Sequence, residues 1–167
     1  MNHEYFMRQA LAEARSALAA GEFPVGCILV HQGRIITVGR RMNSRAEAAN
    51  ELDHAEAGAV RRLIANHPEL NPAEVTAYCT MEPCLMCYAT MLLNGIRTFV
   101  YGYEDAMGGG TDLQLHQLKP LYREMKVSVV PHILRAESLA LFKEFFTKPA
   151  NDYWQGSLLA EYTLRQS

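Results

Sequence analysis

An excess of charge of either sign is missing from this chain. Across 167 residues, 16 Lys and Arg face 18 Asp and Glu, a formal net charge of −2. That balance demands neither a polyanion nor a membrane surface as partner. Long apolar runs are missing too. None approaches the ~20 residues that span a bilayer, so no membrane role is expected. The stretch from Met1 to Arg8 is polar and lacks an apolar core, so no signal peptide is expected and the cytoplasm is the expected compartment. Internal repeats, low-complexity tracts and linkers are absent, which excludes solenoid and disordered classes. Cysteine is scarce, at four. Cys27 and Cys79 sit in apolar, strand-like runs that suit buried free thiols. Cys84 and Cys87 form a C-x-x-C, which in a reducing compartment points to a metal or redox site rather than a structural disulfide. With 49% hydrophobic and 20% charged residues, what remains is an ordinary soluble domain.

Periodicity divides the chain into alternating elements. Phe6, Ala10, Ala14 and Leu18 recur at helical spacing, predicting a helix over Asn2 to Ala20 that Gly21 ends. Val25 to Val30 and Arg34 to Gly39 read as strands joined by a Gln32-Gly33 turn. Asp53 to Asn66 reads as a helix stopped before His67-Pro68. Val75 to Thr80 is a strand, Pro83 to Asn94 a helix with Gly95 as its stop, and Thr98 to Tyr101 a strand. After the Gly108-Gly109-Gly110 loop, Thr111 or Asp112 is placed to cap a helix running to about Tyr122. Val127 to Ile133 is a strand that Pro131 assigns to an edge or an end, and Ala136 to Thr147 is a helix. Helices alternating with single strands predict an α/β sheet covered on both faces. The domain runs over residues 1–148, followed by a tail over 149–167.

Two segments carry chemistry: His54-Ala55-Glu56 and Pro83-Cys84-Leu85-Met86-Cys87, each opening a predicted helix. Residues three apart share a helix face, so Cys84 and Cys87 can grip one ion, with His54 as third ligand from the neighbouring helix tip. Two thiolates and an imidazole suit Zn2+, and three protein ligands leave a fourth position for water, the mark of a catalytic site. A helix N-terminus favours thiolate over thiol. Glu56 is near the metal without being forced to ligate it, and can shuttle protons between water and substrate. Read singly, the pieces allow other roles. Glu56 can close a capping box with Asp53. The cysteines can be a redox pair, and His54 an ordinary helix-start histidine. H-x-E followed by P-C-x-x-C, both at helix starts, is hard to obtain by chance.

That joint pattern resembles the signature of the cytidine deaminase superfamily. The resemblance runs from about Tyr5 to Phe146 and is closest to the branch of tRNA adenosine deaminases, guanine deaminases and fungal cytosine deaminase. Its stretches are Phe23-Pro24-Val25-Gly26, Asp53-His54-Ala55-Glu56, Met81-Glu82-Pro83-Cys84-Leu85-Met86-Cys87 and Asp105-Ala106 before the glycine loop. It implies a three-layer α-β-α sandwich around a five-stranded mixed sheet, usually as a homodimer. It implies that Phe23 and Val25 line the base pocket and that Asp105 borders it. Asn43, eleven residues before His54, would hydrogen-bond the base. The Ala55 N–H would meet the ring, and the Glu82 carbonyl would accept from the leaving amine.

The reading that follows is a zinc hydrolase releasing ammonia from a small nucleobase or nucleoside. The alternative is a tRNA-specific adenosine deaminase. A non-catalytic zinc scaffold is more distant, because a scaffold has no use for Glu56. The small substrate is preferred because Lys148 and Arg165 in the tail are balanced by Asp152 and Glu161, where a tRNA-binding relative would carry positive charge. Arg40, Arg41, Arg45, Arg61 and Arg62 read as scattered, solvated surface groups. Tyr153, Trp154 and Tyr162 make the tail aromatic, and it is expected to cover the pocket with Trp154 or a neighbouring aromatic against the base.

Overall fold

The computed structural model describes residues 2–45 and 49–167. The first helix, α1, spans His3–Ala19 and buries the stripe that periodicity picks out, from Phe6 through Ala10 and Ala14 to Leu18. Asn2 caps it, its side-chain oxygen accepting the Tyr5 N–H. The chain then enters β1 (Gly26–His31) and returns as β2 (Arg34–Arg40). Gln32 and Gly33 both take positive φ, 47° and 76°, the turn that matches the twist of paired strands.

Strands β3 (Val75–Met81), β4 (Thr98–Tyr103) and β5 (Ser128–Val130) complete a five-stranded sheet in the order β2-β1-β3-β4-β5. β1 runs antiparallel to β2 and β3, while β3, β4 and β5 are parallel. All seven residues of β3 are buried, as expected of a strand covered on both faces. β5 is shorter than its apolar run, because Pro131 cannot donate to a ladder and closes the strand at an edge.

The helices form two layers. On one face lie α1 and α5 (Arg135–Thr147), with Phe6 packed on Tyr78 and Phe142 on Tyr103. On the other lie α2 (Ala55–Asn66) and α3 (Leu85–Leu93), with the Thr37 hydroxyl donating to the Ala59 carbonyl and Tyr88 edge-on to Phe99. The architecture is the expected three-layer α-β-α sandwich. Fully buried side chains such as Phe99, Phe142 and Met91 form its core, each contributing about 1.5–3 kcal/mol. Gly39 fixes how closely α2 approaches: a Cβ there would lie 2.0 Å from the Ala55 carbonyl oxygen. The start of α2 therefore rests directly on the sheet.

One expectation is corrected. The helix expected from Thr111 or Asp112 to Tyr122 is instead a 3-10 turn, Leu115–Gln117, followed by the single turn of α4, Pro120–Arg123. Pro120 lacks an N–H and is excluded from a helix interior, but it is tolerated in the first turn, where the structure puts it. The tail carries a helix of its own. It ends in α6 (Leu158–Arg165), capped by the Ser157 hydroxyl and burying Leu159, Ala160 and Thr163. Among the described residues no helix is long and apolar enough to cross a membrane.

Candidate active site

The site lies at the carboxyl ends of β3 and β4, the edge where α/β sheets hold ligands. α2 and α3 begin there. Each helix starts one or two residues later than periodicity suggests, and the difference places the chemistry. His54 is the N-cap of α2 and Cys84 the N-cap of α3, both extended (ψ 152° and 166°), and neither side chain caps its own helix. Their side chains turn toward each other instead. His54 Nδ1 lies 3.5 Å from Cys84 Sγ and 3.5 Å from Cys87 Sγ. The three donor atoms lie within 4.8 Å of one another.

The donor set fits zinc. Tetrahedral bonds of about 2.1 Å to nitrogen and 2.3 Å to sulfur put ligand atoms roughly 3.6 Å apart, close to the separations found. With Nδ1 turned to the thiols, its lone pair must be free for the ion, so the ring proton sits on Nε2. That nitrogen lies 3.0 Å from Glu51 Oε2, an acceptor that fixes this tautomer. Zn2+ is the cofactor the site is built to hold. When bound, it acts as a Lewis acid that makes water a nucleophile at neutral pH.

Electrostatics suit a cation. A hydrogen bond from Cys87 and another from His54 outweigh burial and bring the Cys84 thiol down to about 4. The same Cys84 contact, together with burial, pushes Cys87 up. Burial lowers the His54 pKa, but the hydrogen bond to Cys84 and the nearby Glu56 carboxylate lift it to about 9.

Glu56 is buried on the first turn of α2, and among the described residues its Oε2 has no hydrogen-bond partner. Burial, then the charge on Cys84, raises its pKa. It does not form a capping box with Asp53, because His54 occupies the cap position and the Asp53 carboxylate accepts from Asn43 and Asn50 instead. A buried carboxylate oxygen without a donor costs on the order of 1–3 kcal/mol or more, and such groups concentrate where chemistry is done.

A cleft of about 410 Å³ opens over these groups. Phe23, Val25 and Ala55 line one side; Glu82, Asp105 and Trp154 line the other parts of its wall. Glu82 also organises the glycine loop: Oε2 accepts the Asp105 N–H at 3.2 Å, and Oε1 accepts from the Thr111 N–H and hydroxyl. Gly109 packs so tightly on this carboxylate that a Cβ would lie 2.5 Å from Oε2. Asp105 in turn accepts the Met107 and Gly108 N–H groups. Trp154 stands on a left-handed residue (φ 53°), is 44% exposed and packs edge-on to Tyr153.

Asn43 stands apart. It is not among the residues that line the cleft. Its φ is 54° and its amide donates to Asp53 at 2.6 Å, so in this structure it ties a loop rather than facing a base. Two charged cleft residues, Arg41 and Glu51, escaped the sequence, and Tyr153 joins the wall beside Trp154. Arg41, expected as a solvated surface group, is 2% exposed. Its guanidinium donates to the backbone carbonyls of Met42, Asp53 and Asn50. Nothing in local composition marks it as buried, since the carbonyls it serves come from a loop that folds back over it.

Comparison with known proteins follows the same chemistry. The family model for the cytidine and deoxycytidylate deaminase zinc-binding region matches residues 1–103. A tRNA-specific adenosine deaminase of Aquifex aeolicus is 35% identical over 156 residues, covering 91% of this chain and 99% of that protein. One from Streptococcus pyogenes is 33% identical over 142 residues, covering 85% and 88%. A solved structure from work on A-to-I editing by tRNA:A34 deaminases at the wobble position of transfer RNA superposes with a TM-score of 0.70 at 30% identity, covering 82% of this chain and 98% of that one.

Proposed function

The chain belongs to the cytidine and deoxycytidylate deaminase family, and on that premise we propose that it hydrolyses the exocyclic amine of adenosine in transfer RNA. The observation that carries this reading is end-to-end likeness to a tRNA-specific adenosine deaminase, 35% identical across 99% of that protein's length. It displaces the small-base preference drawn from the charge-neutral tail. In this reading the base is flipped into the cleft, with Phe23 and Val25 against its face. The Ala55 N–H, at the unsatisfied start of α2, meets a ring acceptor. The Glu82 carbonyl accepts from the leaving amine, and Asp105 shapes the far wall. Glu56 is the catalytic residue. Its carboxylate takes one proton from the attacking water and passes it to the ring nitrogen, then takes the second from the hydroxyl now on the ring carbon and passes it to the departing amine. Water oxygen replaces the amine nitrogen on the ring carbon, and ammonia leaves. The setting is the cytoplasm, where tRNA is found and where the four cysteines stay reduced; all four are free thiols here.

A second reading keeps a free base or nucleoside as substrate. It is favoured by Tyr153, Trp154 and Leu159, which bring the tail to the cleft. Ammonia release over free bases, nucleosides and an anticodon stem-loop separates the two. The tRNA reading expects kcat/KM at least a hundred-fold higher on the stem-loop. Equal or better turnover of any free base or nucleoside would replace it with the second reading.

We also propose that two copies pair through the outer face of α3. Leu85, Met86 and Leu93 recur there at helical spacing and are exposed, with Leu52 exposed as well. Light scattering on the zinc-loaded protein checks this, and a monomer at micromolar concentration would overturn it.

A further inference from the structure

The Glu51 carboxylate lies at the rim of the cleft, half-exposed. Such a side chain is normally mobile, and holding it still costs rotamer entropy. Here one of its oxygens is met from three directions. Oε2 lies 3.0 Å from His54 Nε2, accepts the Tyr153 hydroxyl at 3.0 Å, and lies 3.5 Å from Arg41 Nη2. Arg41 is itself fixed, nearly fully buried and bonded to three backbone carbonyls. Its guanidinium also stands 5.6 Å over the Tyr153 ring, and Phe23 packs against that ring at 5.2 Å. Tyr153 therefore has a fixed ring and a hydroxyl aimed at the carboxylate.

We propose that Glu51 is a positioning residue for the zinc ligand His54, and that Tyr153 of the tail holds Glu51 in place. A carboxylate accepting the free ring N–H locks the histidine tautomer, fixes the ring plane and raises the basicity of the coordinating nitrogen. Tyr153 stands 102 residues from Glu51 in the chain. The tail is then part of the metal's support as well as a wall of the cleft. Phe23 belongs to the same stack, so the apolar wall and the metal ligand are mechanically joined through one tyrosine. The inference rests on the zinc site and is independent of which base is deaminated.

The test reads zinc affinity, not turnover. Zinc dissociation constants come from chelator competition on full-length protein, and the Co2+-substituted protein supplies a d–d absorption spectrum. Glu51→Gln is expected to weaken zinc binding about ten- to a hundred-fold, the usual effect of losing such a partner. It should also shift the Co2+ bands. Tyr153→Phe removes one oxygen and leaves the ring on Phe23, and is expected to weaken zinc binding about three- to ten-fold. In the Glu51→Gln background the same change should cost far less, because the hydroxyl, which also accepts from Arg41 Nη2 at 3.5 Å, reaches His54 through the carboxylate. Removing the whole tail is avoided because it would strip Leu159, Ala160 and Thr163 from the core. Zinc binding in Glu51→Gln as tight as in the parent would overturn the role of Glu51. A Tyr153→Phe loss that persists in full beside Glu51→Gln would overturn the link to the tail.

Discussion

The helix starts at His54 and Cys84 border the same cleft as the turn at Tyr153 and Trp154, yet the two are held in place differently. At the metal corner, each side chain is aimed by the backbone immediately around it: an extended cap residue followed by a helix. The roof is aimed by contacts from elsewhere, with Tyr153 fixed by Phe23, Arg41 and Glu51. The corner tolerates little, because its chemistry depends on donor atoms a few tenths of an ångström from their ideal places. The roof can shift and still exclude water. The largest functional losses are therefore expected at the corner, and graded ones at the roof.

The sharpest break comes at Glu56. Glu56→Ala removes the proposed proton carrier and leaves His54, Cys84 and Cys87 in place. Turnover on the true substrate should fall by at least 10²- to 10⁴-fold with zinc content unchanged. Activity above a few per cent of the parent would take Glu56 out of the chemistry. Cys87→Ala tests the same corner through stability. Cys87 is 1% exposed and would join α3 to α2 through a bound ion, so zinc content should fall below about one-tenth per chain and the melting temperature should drop with it. Full zinc occupancy in that variant would mean that the ligand set is wrong.

The contrast between corner and roof also explains what the sequence revealed. H-x-E and P-C-x-x-C are spacings along one turn of helix, and local geometry carries them into the folded site unchanged. The strands themselves were accessible because each is one apolar run between turn signals. Arg41 was not, because an arginine after a strand looks the same in sequence whether it meets solvent or three backbone carbonyls. Asn43 was assigned by the family resemblance, and in the structure its left-handed backbone turns the amide to Asp53. The helix expected over 111–122 failed for a reason visible in the sequence, since Pro120 forbids it. The contact between Glu51 and Tyr153 leaves no local trace at all.

At the roof, Trp154→Ala sharpens the comparison. An aromatic that stacks on a base contributes on the order of 1–3 kcal/mol. Its loss should weaken substrate binding about ten- to a hundred-fold, with zinc content and the melting temperature nearly unchanged. An unaltered KM on both the stem-loop and small substrates would make the turn a packing element only.

The smallest effect is expected at the far end of the tail, where Glu104 anchors α6. Its carboxylate is gripped by Arg135, accepts the Tyr162 hydroxyl at 2.8 Å, and lies 3.5 Å from His132 Nε2. Arg135 also reaches Gln166 at 3.0 Å, closing the link to the end of α6. Burial works to raise the Glu104 pKa, but the Arg135 and Tyr162 hydrogen bonds outweigh it and hold it at about 2, against an ordinary 4.5. A carboxyl whose folded pKa lies below its unfolded value stabilises the fold above the unfolded pKa. That contribution is lost as pH falls from about 4.5 toward about 2. The group is only partly shielded from water, so the contribution is on the order of 1 kcal/mol after solvent screening. Glu104→Gln should therefore lower the melting temperature by about 2–4 °C at pH 7. It should speed hydrogen exchange in α6 and leave zinc affinity untouched. As pH falls through 4, the gap between variant and parent should narrow, because the unfolded parent then takes up a proton that the folded carboxylate does not. A gap that stays constant from pH 7 to pH 3 would show that the carboxylate charge does not hold the tail, and that Leu159 and Thr163 dock it by packing alone.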